Sequence, residues 1–231
     1  TPFGLSLQEQ TIGDRLKAAG YSTGWFGKSH LGFEPQFHPL KRGFDDYFGF
    51  LGGMHDYLDA VGDKNNPILR GTAPIDNIDY TTDAFGREAV EFIGRHQHEP
   101  FFLYLAFVAP HWPMQAKPEH LAQFAHVPDL HRRTFLAMMA SLDENVGRVL
   151  AKLRENGLED RTLIFFLSDN GGRNDGADNR PLRGYKGHTF MSNDMYRELV
   201  KPAHRRAVEW AHSKGIKSRM HSCGDIHTLI P

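Results

Sequence analysis

The run from Thr162 to Gly172, TLIFFLSDNGG, constrains the fold of this chain more than any other stretch. Leu163 to Leu167 is wholly apolar and contains an Ile and two Phe, which fits a strand covered on both faces, and Asn170-Gly171-Gly172 forces a turn directly after it. Such a strand would carry Asp169 and Asn170 to its carboxyl end, the place where open α/β sheets bind their ligands. Taken alone, Asp-Asn-Gly-Gly serves equally well as a plain turn. The rest of the chain has to separate a site from a connector.

Upstream, Ser6-Leu7-Gln8-Glu9 has the form of a capping box, and Ile12, Leu16 and Ala19 recur at helical spacing until Gly20 supplies a stop. Tyr21 to Phe26 reads as a strand that ends in Gly27-Lys28-Ser29-His30. From Phe33 to about Asn77 prolines and glycines break every period, so this stretch is expected to be loop, with Asp45 and Asp46 as structural loop residues. A second helix begins near Asp79 or Thr81 and turns Phe85, Ala89, Phe92 and Ile93 to one side. The apolar run Phe101 to Val108 then leads into Ala109-Pro110-His111-Trp112-Pro113. A long helical pattern from Phe135 to Leu153 stops at Gly157 and hands over to Leu163.

Strands alternating with helices predict an α/β fold with a mostly parallel sheet covered on both faces. The tips of three predicted strands carry Lys28 with His30, then His111, then Asp169 with Asn170, and these tips are expected to meet at one sheet edge. Each has a plain alternative as a solvated cation, a surface histidine or a turn residue. Together they offer hard oxygen donors for Ca²⁺ or Mg²⁺, two imidazoles that exchange protons near neutrality, and a cation for anionic oxygens. That is equipment for hydrolysing an oxyanion ester.

Composition removes other classes. A formal charge of −1 points to no nucleic acid as partner, and no run approaches the ~18 apolar residues of a membrane span. Cys223 is the single cysteine, so no internal disulfide framework is possible. The chain opens on Thr1 without a signal-peptide pattern and is expected to be a fragment or processed form. The sequence assigns it no compartment.

GYSTGWFGKSHLG, HPLKRGFDDYFGFLGG, FFLYLAFVAPHWP, SLDENVGRVLAKLRENGLEDRTLIFFLSDNGG and PLRGYKG occur in this order, and together they resemble the sulfatase family over about Leu5 to Gly187. The resemblance implies an alkaline-phosphatase-like fold, a mixed sheet between helical layers, and hydrolysis of a small-molecule or carbohydrate sulfate ester with bound Ca²⁺ or another divalent ion. By the same resemblance Lys28 and His30 match the GK-x-H site that holds sulfate. His111 matches the imidazole near the leaving oxygen, and Lys186 the lysine that holds sulfate and the leaving group. Asp169 and Asn170 match two metal ligands. Members of this family are often exported or periplasmic.

The chain departs from that pattern in two respects. The family's C/S-x-P-S-R segment, source of the formylglycine whose hydrate attacks sulfur, is absent, and so is its N-terminal acidic pair. The chain alone is therefore expected to be inactive or nearly so, with an incomplete metal site. Beyond Gly187 the sequence resembles the uroporphyrinogen decarboxylase-like family with its cobalamin-dependent methyltransferases, which implies a βα-barrel fragment over 188–231 beside a truncated sulfatase-like domain over 1–187. Gly184 to Gly187 would then be the seam of a chimera. His221 and Cys223 match an H-x-C zinc pair in those methyltransferases, but two ligands do not make a Zn²⁺ site. The alternative functions are a non-catalytic anion-binding protein, a phosphoester hydrolase of the same superfamily, or a methyltransferase-like activity in the terminal segment.

Overall fold

The computed structural model describes residues 4–62 and 65–169, together with 172, 176–178, 205, 209 and 213. The chain divides into two compact units, Thr1–Leu163 and Ile164–Pro231. In the second unit Arg205, Glu209 and Ser213, spaced by one helical turn, are exposed helical residues.

The first helix, α1 (Ile12–Ala18), is capped by Thr11, five residues later than the Ser6 box would place it. The Thr11 hydroxyl accepts from the Asp14 amide at 3.0 Å while the Asp14 carboxylate accepts from the Thr11 amide at 2.8 Å. The Ser6 segment stays irregular because the buried Arg42 guanidinium donates to the carbonyls of Leu5, Ser6 and Glu9 at 3.1, 3.2 and 2.8 Å. Carbonyls held from the side in this way are drawn off a helical ladder. The helix ends as expected, at Gly20 with φ of 87°.

Among the described residues one five-stranded sheet follows: β1 (Ser22–Lys28), β2 (Asp46–Phe50), β3 (Leu69–Arg70), β4 (Ala73–Pro74) and β5 (Phe101–Ala106), in the order β4-β3-β2-β1-β5. Strand β1 runs parallel to both β2 and β5, and the short β3 and β4 join antiparallel, so the sheet is mixed. The surprise is β2, which lies in the stretch expected to be loop. Asp46-Tyr47-Phe48-Gly49-Phe50 is a buried strand, and its acidic start is anchored by ion pairs of Asp45 with Lys17 and Asp46 with Arg95. Both carboxylates are structural, as expected, but they belong to a strand entrance.

Alternation sorts the side chains onto two faces. Phe26, Phe48 and Phe50 meet Phe85 and Phe92 of α2 (Thr81–Arg95) and Met138 of the long helix, while Trp25 and Tyr47 pack with Phe44 on the opposite face, where α1 lies. Helices α3 (Pro118–Gln123) and α4 (Leu130–Glu155) complete the α2 side. Where α2, α4 and the chain before α3 meet, the buried Asp83 carboxylate accepts from Asn145 Nδ2 at 2.7 Å, Ser141 Oγ at 3.4 Å and Lys117 Nζ at 2.6 Å. Burial works to lower the Lys117 pKa, but the hydrogen bonds and charges of Asp83 and Glu119 together outweigh it and hold the pKa raised.

The expected strand at Leu163 to Leu167 is not there. These side chains are 50 to 84% exposed and join no ladder among the described residues. An apolar run becomes a strand only when a neighbour takes up its backbone groups.

Two stability measurements follow from this packing. Asp83→Ala strands a half-buried ammonium and a buried amide, so urea unfolding should report a loss of about 3 kcal/mol; a loss within a few tenths would show that the three elements do not rely on it. His38 is buried, its Nδ1 accepts from the Leu40 amide at 3.2 Å, and burial, helped by the charge of Lys41, holds its pKa below the ordinary 6.5. The unfolded chain then takes the proton more readily, so this contribution to stability is complete above pH 6.5 and is lost as pH falls through the lower folded value. His38→Gln should flatten the fall in Tm on acidification, and an unchanged slope would exclude His38 as its source.

Candidate functional site

The site is built at the carboxyl end of β1. Gly27 has φ of 117°, and a Cβ there would fall onto the Ala106 carbonyl of β5. Lys28 follows as the last residue of β1, half-buried and opposite Phe50 of β2. Beyond it the chain continues to track β2, because Ser29 N donates to Phe50 O and His30 N to Leu51 O, each at 3.0 Å.

His30 sits at φ of 58°, the one non-glycine in the left-handed region among the described residues. Such a conformation costs roughly 1 kcal/mol or more and persists where surrounding contacts enforce it. Here the His30 amide is tied to Leu51, and Gly53 leaves room for the imidazole. A Cβ on Gly53 would stand 2.9 Å from both Cε1 and Nε2 of that ring.

His111 stands just past the end of β5, in a turn closed by His111 N donating to Val108 O at 2.8 Å. Its Nδ1 lies 2.7 Å from the Trp112 carbonyl oxygen. A carbonyl can only accept, so Nδ1 carries a proton and Nε2 is the nitrogen that gains or loses one. The His111 carbonyl accepts from the Tyr57 hydroxyl at 2.9 Å, and the Gln115 carbonyl accepts from the Tyr80 hydroxyl at 2.9 Å. Tyr57 and Tyr80 were not legible as site residues. Their bonds span 54 and 35 residues, and the loop that holds Tyr57 shows no periodicity.

Strands β1 and β5 are adjacent and parallel, with Gly27 opposite Ala106. Lys28, His30 and the His111 loop therefore leave the sheet at the same end, as the sequence predicted for these two tips. Asp169 is described and exposed, in the second unit. Asn170, Lys186, His221 and Cys223 lie outside the described residues, as does the expected barrel fragment over 188–231 apart from residues 205, 209 and 213. Among the described residues no three His, Cys, Asp or Glu side chains gather so that they could hold a metal ion. No helix among them is long and apolar enough to cross a membrane.

Comparison with known proteins gives a consistent picture. A sequence profile described as sulfatase matches residues 2–200. Arylsulfatase J of Mus musculus is 33% identical over 236 residues, covering 97% of this chain and 38% of that protein. The N-acetylgalactosamine-6-sulfatase of Homo sapiens is 31% identical, covering 92% and 43% respectively. Among solved structures, Ps i-CgsB in complex with k-i-k-neocarrahexaose superposes with a TM-score of 0.74 at 39% identity, over 79% of this chain and 45% of that one. PsFucS1 sulfatase from Pseudoalteromonas sp. shares the fold at 24% identity and a TM-score of 0.63, over 79% and 42%. The chain thus spans less than half the length of these relatives.

These matches overturn the division into two families. The sulfatase profile crosses the supposed seam at Gly184 to Gly187, and the arylsulfatase J alignment takes in nearly the whole chain. Nothing in these matches supports a uroporphyrinogen decarboxylase-like or methyltransferase segment, and no closed barrel is seen among the described residues. The physical reason for the misreading is plain: one helix and one strand around an H-x-C triplet is a pattern many folds share, and it specifies none.

Gly53→Ala would press a methyl against the His30 ring. The ¹H and ¹³C ring signals of His30 should shift while those of the distant His38 stay put; an unmoved His30 spectrum would show that Gly53 does not set the ring's place.

Proposed function

The chain belongs to the sulfatase family, and on that premise we propose that it binds the sulfate group of a carbohydrate sulfate ester at the carboxyl ends of β1 and β5. The observation that carries this reading is the parallel register of Gly27 with Ala106, which sends Lys28, His30 and His111 off the same end of the sheet. A lysine and two histidines there suit a tetrahedral oxyanion. That the related Ps i-CgsB is described in complex with k-i-k-neocarrahexaose supports a sugar as the carrier of the ester.

In this reading the Lys28 ammonium meets the anionic oxygens. His111 turns Nε2 toward the ester's sugar oxygen, to which it would supply a proton if a nucleophile displaced that oxygen from sulfur, and the Trp112 carbonyl, accepting from Nδ1–H, holds the ring. His30 and Lys186 are assigned to the sulfate oxygens, and Asp169 and Asn170 to a divalent ion, of whose 6 to 8 oxygen ligands they supply a part.

The attacking group is a different matter. The 231 residues contain no C/S-x-P-S-R segment, so this chain by itself is expected to bind sulfate without turning over an ester. Phosphate shares the geometry and differs in charge, which makes it the natural competitor in the same site.

Inorganic sulfate should raise the melting temperature of the purified chain, while chloride at matched ionic strength should not. At ten times its Kd sulfate contributes about 1.4 kcal/mol to stability. Lys28→Ala should abolish the shift, and an aryl sulfate should remain unhydrolysed. An equal shift in the variant would place the sulfate elsewhere, and turnover would show that a nucleophile other than formylglycine serves.

A further inference from the structure

The loop that carries His111 is held by more than its own neighbours in sequence, Val108 and Trp112. Two buried tyrosines reach it from outside: Tyr57, from the segment between β2 and β3, donates to the His111 carbonyl at 2.9 Å, and Tyr80, at the cap of α2, donates to the Gln115 carbonyl at 2.9 Å. The two rings stack with centroids 5.5 Å apart and 29° between their planes.

The return contacts lock the same elements together. Tyr57 N donates to Gln115 Oε1 at 2.8 Å, Gln115 Nε2 donates to Asp56 Oδ2 at 2.7 Å, and Thr81 N donates to Tyr57 O at 2.9 Å. Tyr57 is wholly buried, and burial, with Tyr80 beside it, pushes its phenol well above the ordinary range. Its hydroxyl therefore keeps its proton and remains a donor at neutral pH.

We infer that Tyr57 is a positioning residue for His111. The peptide plane between His111 and Trp112 is rigid, so a hydrogen bond on the His111 carbonyl fixes one edge of it. The next carbonyl along, that of Trp112, is the acceptor of His111 Nδ1–H. Fixing the first carbonyl fixes Trp112 N and Cα, from which the second carbonyl extends, and so constrains the direction in which Nε2 faces. Tyr57 touches neither the sulfate nor the leaving oxygen in this scheme and acts only through the backbone of His111. The inference rests on the reading of His111 as a sulfate-ester residue.

Tyr47 supplies the control. It is as buried as Tyr57, but its hydroxyl has no hydrogen-bond partner among the described residues. Inorganic sulfate is titrated against the full chain and its variants Tyr57→Phe, Tyr47→Phe, His111→Ala and Tyr57→Phe/His111→Ala. Tyr57→Phe should weaken sulfate binding about fivefold, the size of one hydrogen bond. Tyr47→Phe should leave binding unchanged, and the double variant should bind no more weakly than His111→Ala alone. Wild-type affinity in Tyr57→Phe beside a weakened His111→Ala, or two losses that simply multiply, would overturn the inference.

If His111→Ala itself binds sulfate normally, the functional reading of His111 fails, and the imidazole decides the positioning claim separately. The ring ¹⁵N shifts of His111 should then report the Nδ1–H tautomer in wild type and in Tyr47→Phe, and a mixture of tautomers in Tyr57→Phe. Identical shifts in all three would reject Tyr57 as a positioning residue.

Discussion

Three strands meet so closely at their tips that only backbone fits between them. A Cβ on Gly49 would fall onto the Gly27 carbonyl, and one on Gly27 onto the Ala106 carbonyl. Gly49, Gly27 and Ala106 lie side by side in register across β2, β1 and β5, immediately before the residues that leave the sheet. This contact decides how far apart the Lys28 segment and the His111 loop emerge, since each follows its strand by a few residues. Larger side chains at these positions would spread the strands and separate the groups that the proposed function requires together.

Around that seam the two faces of the sheet are held by different means. On the α2 side, Phe26, Phe48, Phe50, Phe85 and Phe92 form a continuous aromatic core, each burial contributing about 2 kcal/mol. Such contacts are non-directional and tolerate sliding. What fixes the helices against one another is polar: Asp83 with Asn145, Ser141 and Lys117, and Arg70 with Glu88 from β3 to α2. A buried carboxylate adds little net stability over an apolar substitute, but it accepts one arrangement of its donors and no other. The Tyr57 and Tyr80 hydroxyls follow the same logic at the functional end, where they place a loop that has no regular structure of its own.

Much of this could be read in the chain itself. The end of α1 at Gly20, the strands at Ser22 and Phe101, the helix from Thr81 and the stop at Gly157 depend on spacing, caps and glycines within a few residues. So does the chemistry at the strand tips, since Lys28, His30 and His111 sit next to the apolar runs that carry them. Other features were hidden because no short stretch encodes them. The strand β2 looked like loop until Lys17 and Arg95 neutralised its acidic entrance, and Ser6 looked like a cap until Arg42 took the carbonyls that a helix would need. The apolar run Leu163 to Leu167 had every local sign of a strand, and no ladder among the described residues takes it up.

The sequence by itself therefore determined the alternation of strands and helices, the chemical groups offered at two tips, and membership of the sulfatase family through motifs in fixed order. Only the tertiary structure decided which apolar runs became strands, where α1 begins and what holds His111 in place. Periodicity and capping are settled between residues a turn or two apart. A backbone carbonyl or a buried carboxylate is settled by whichever donor arrives from 35 to 62 residues away, and local sequence carries no record of that partner.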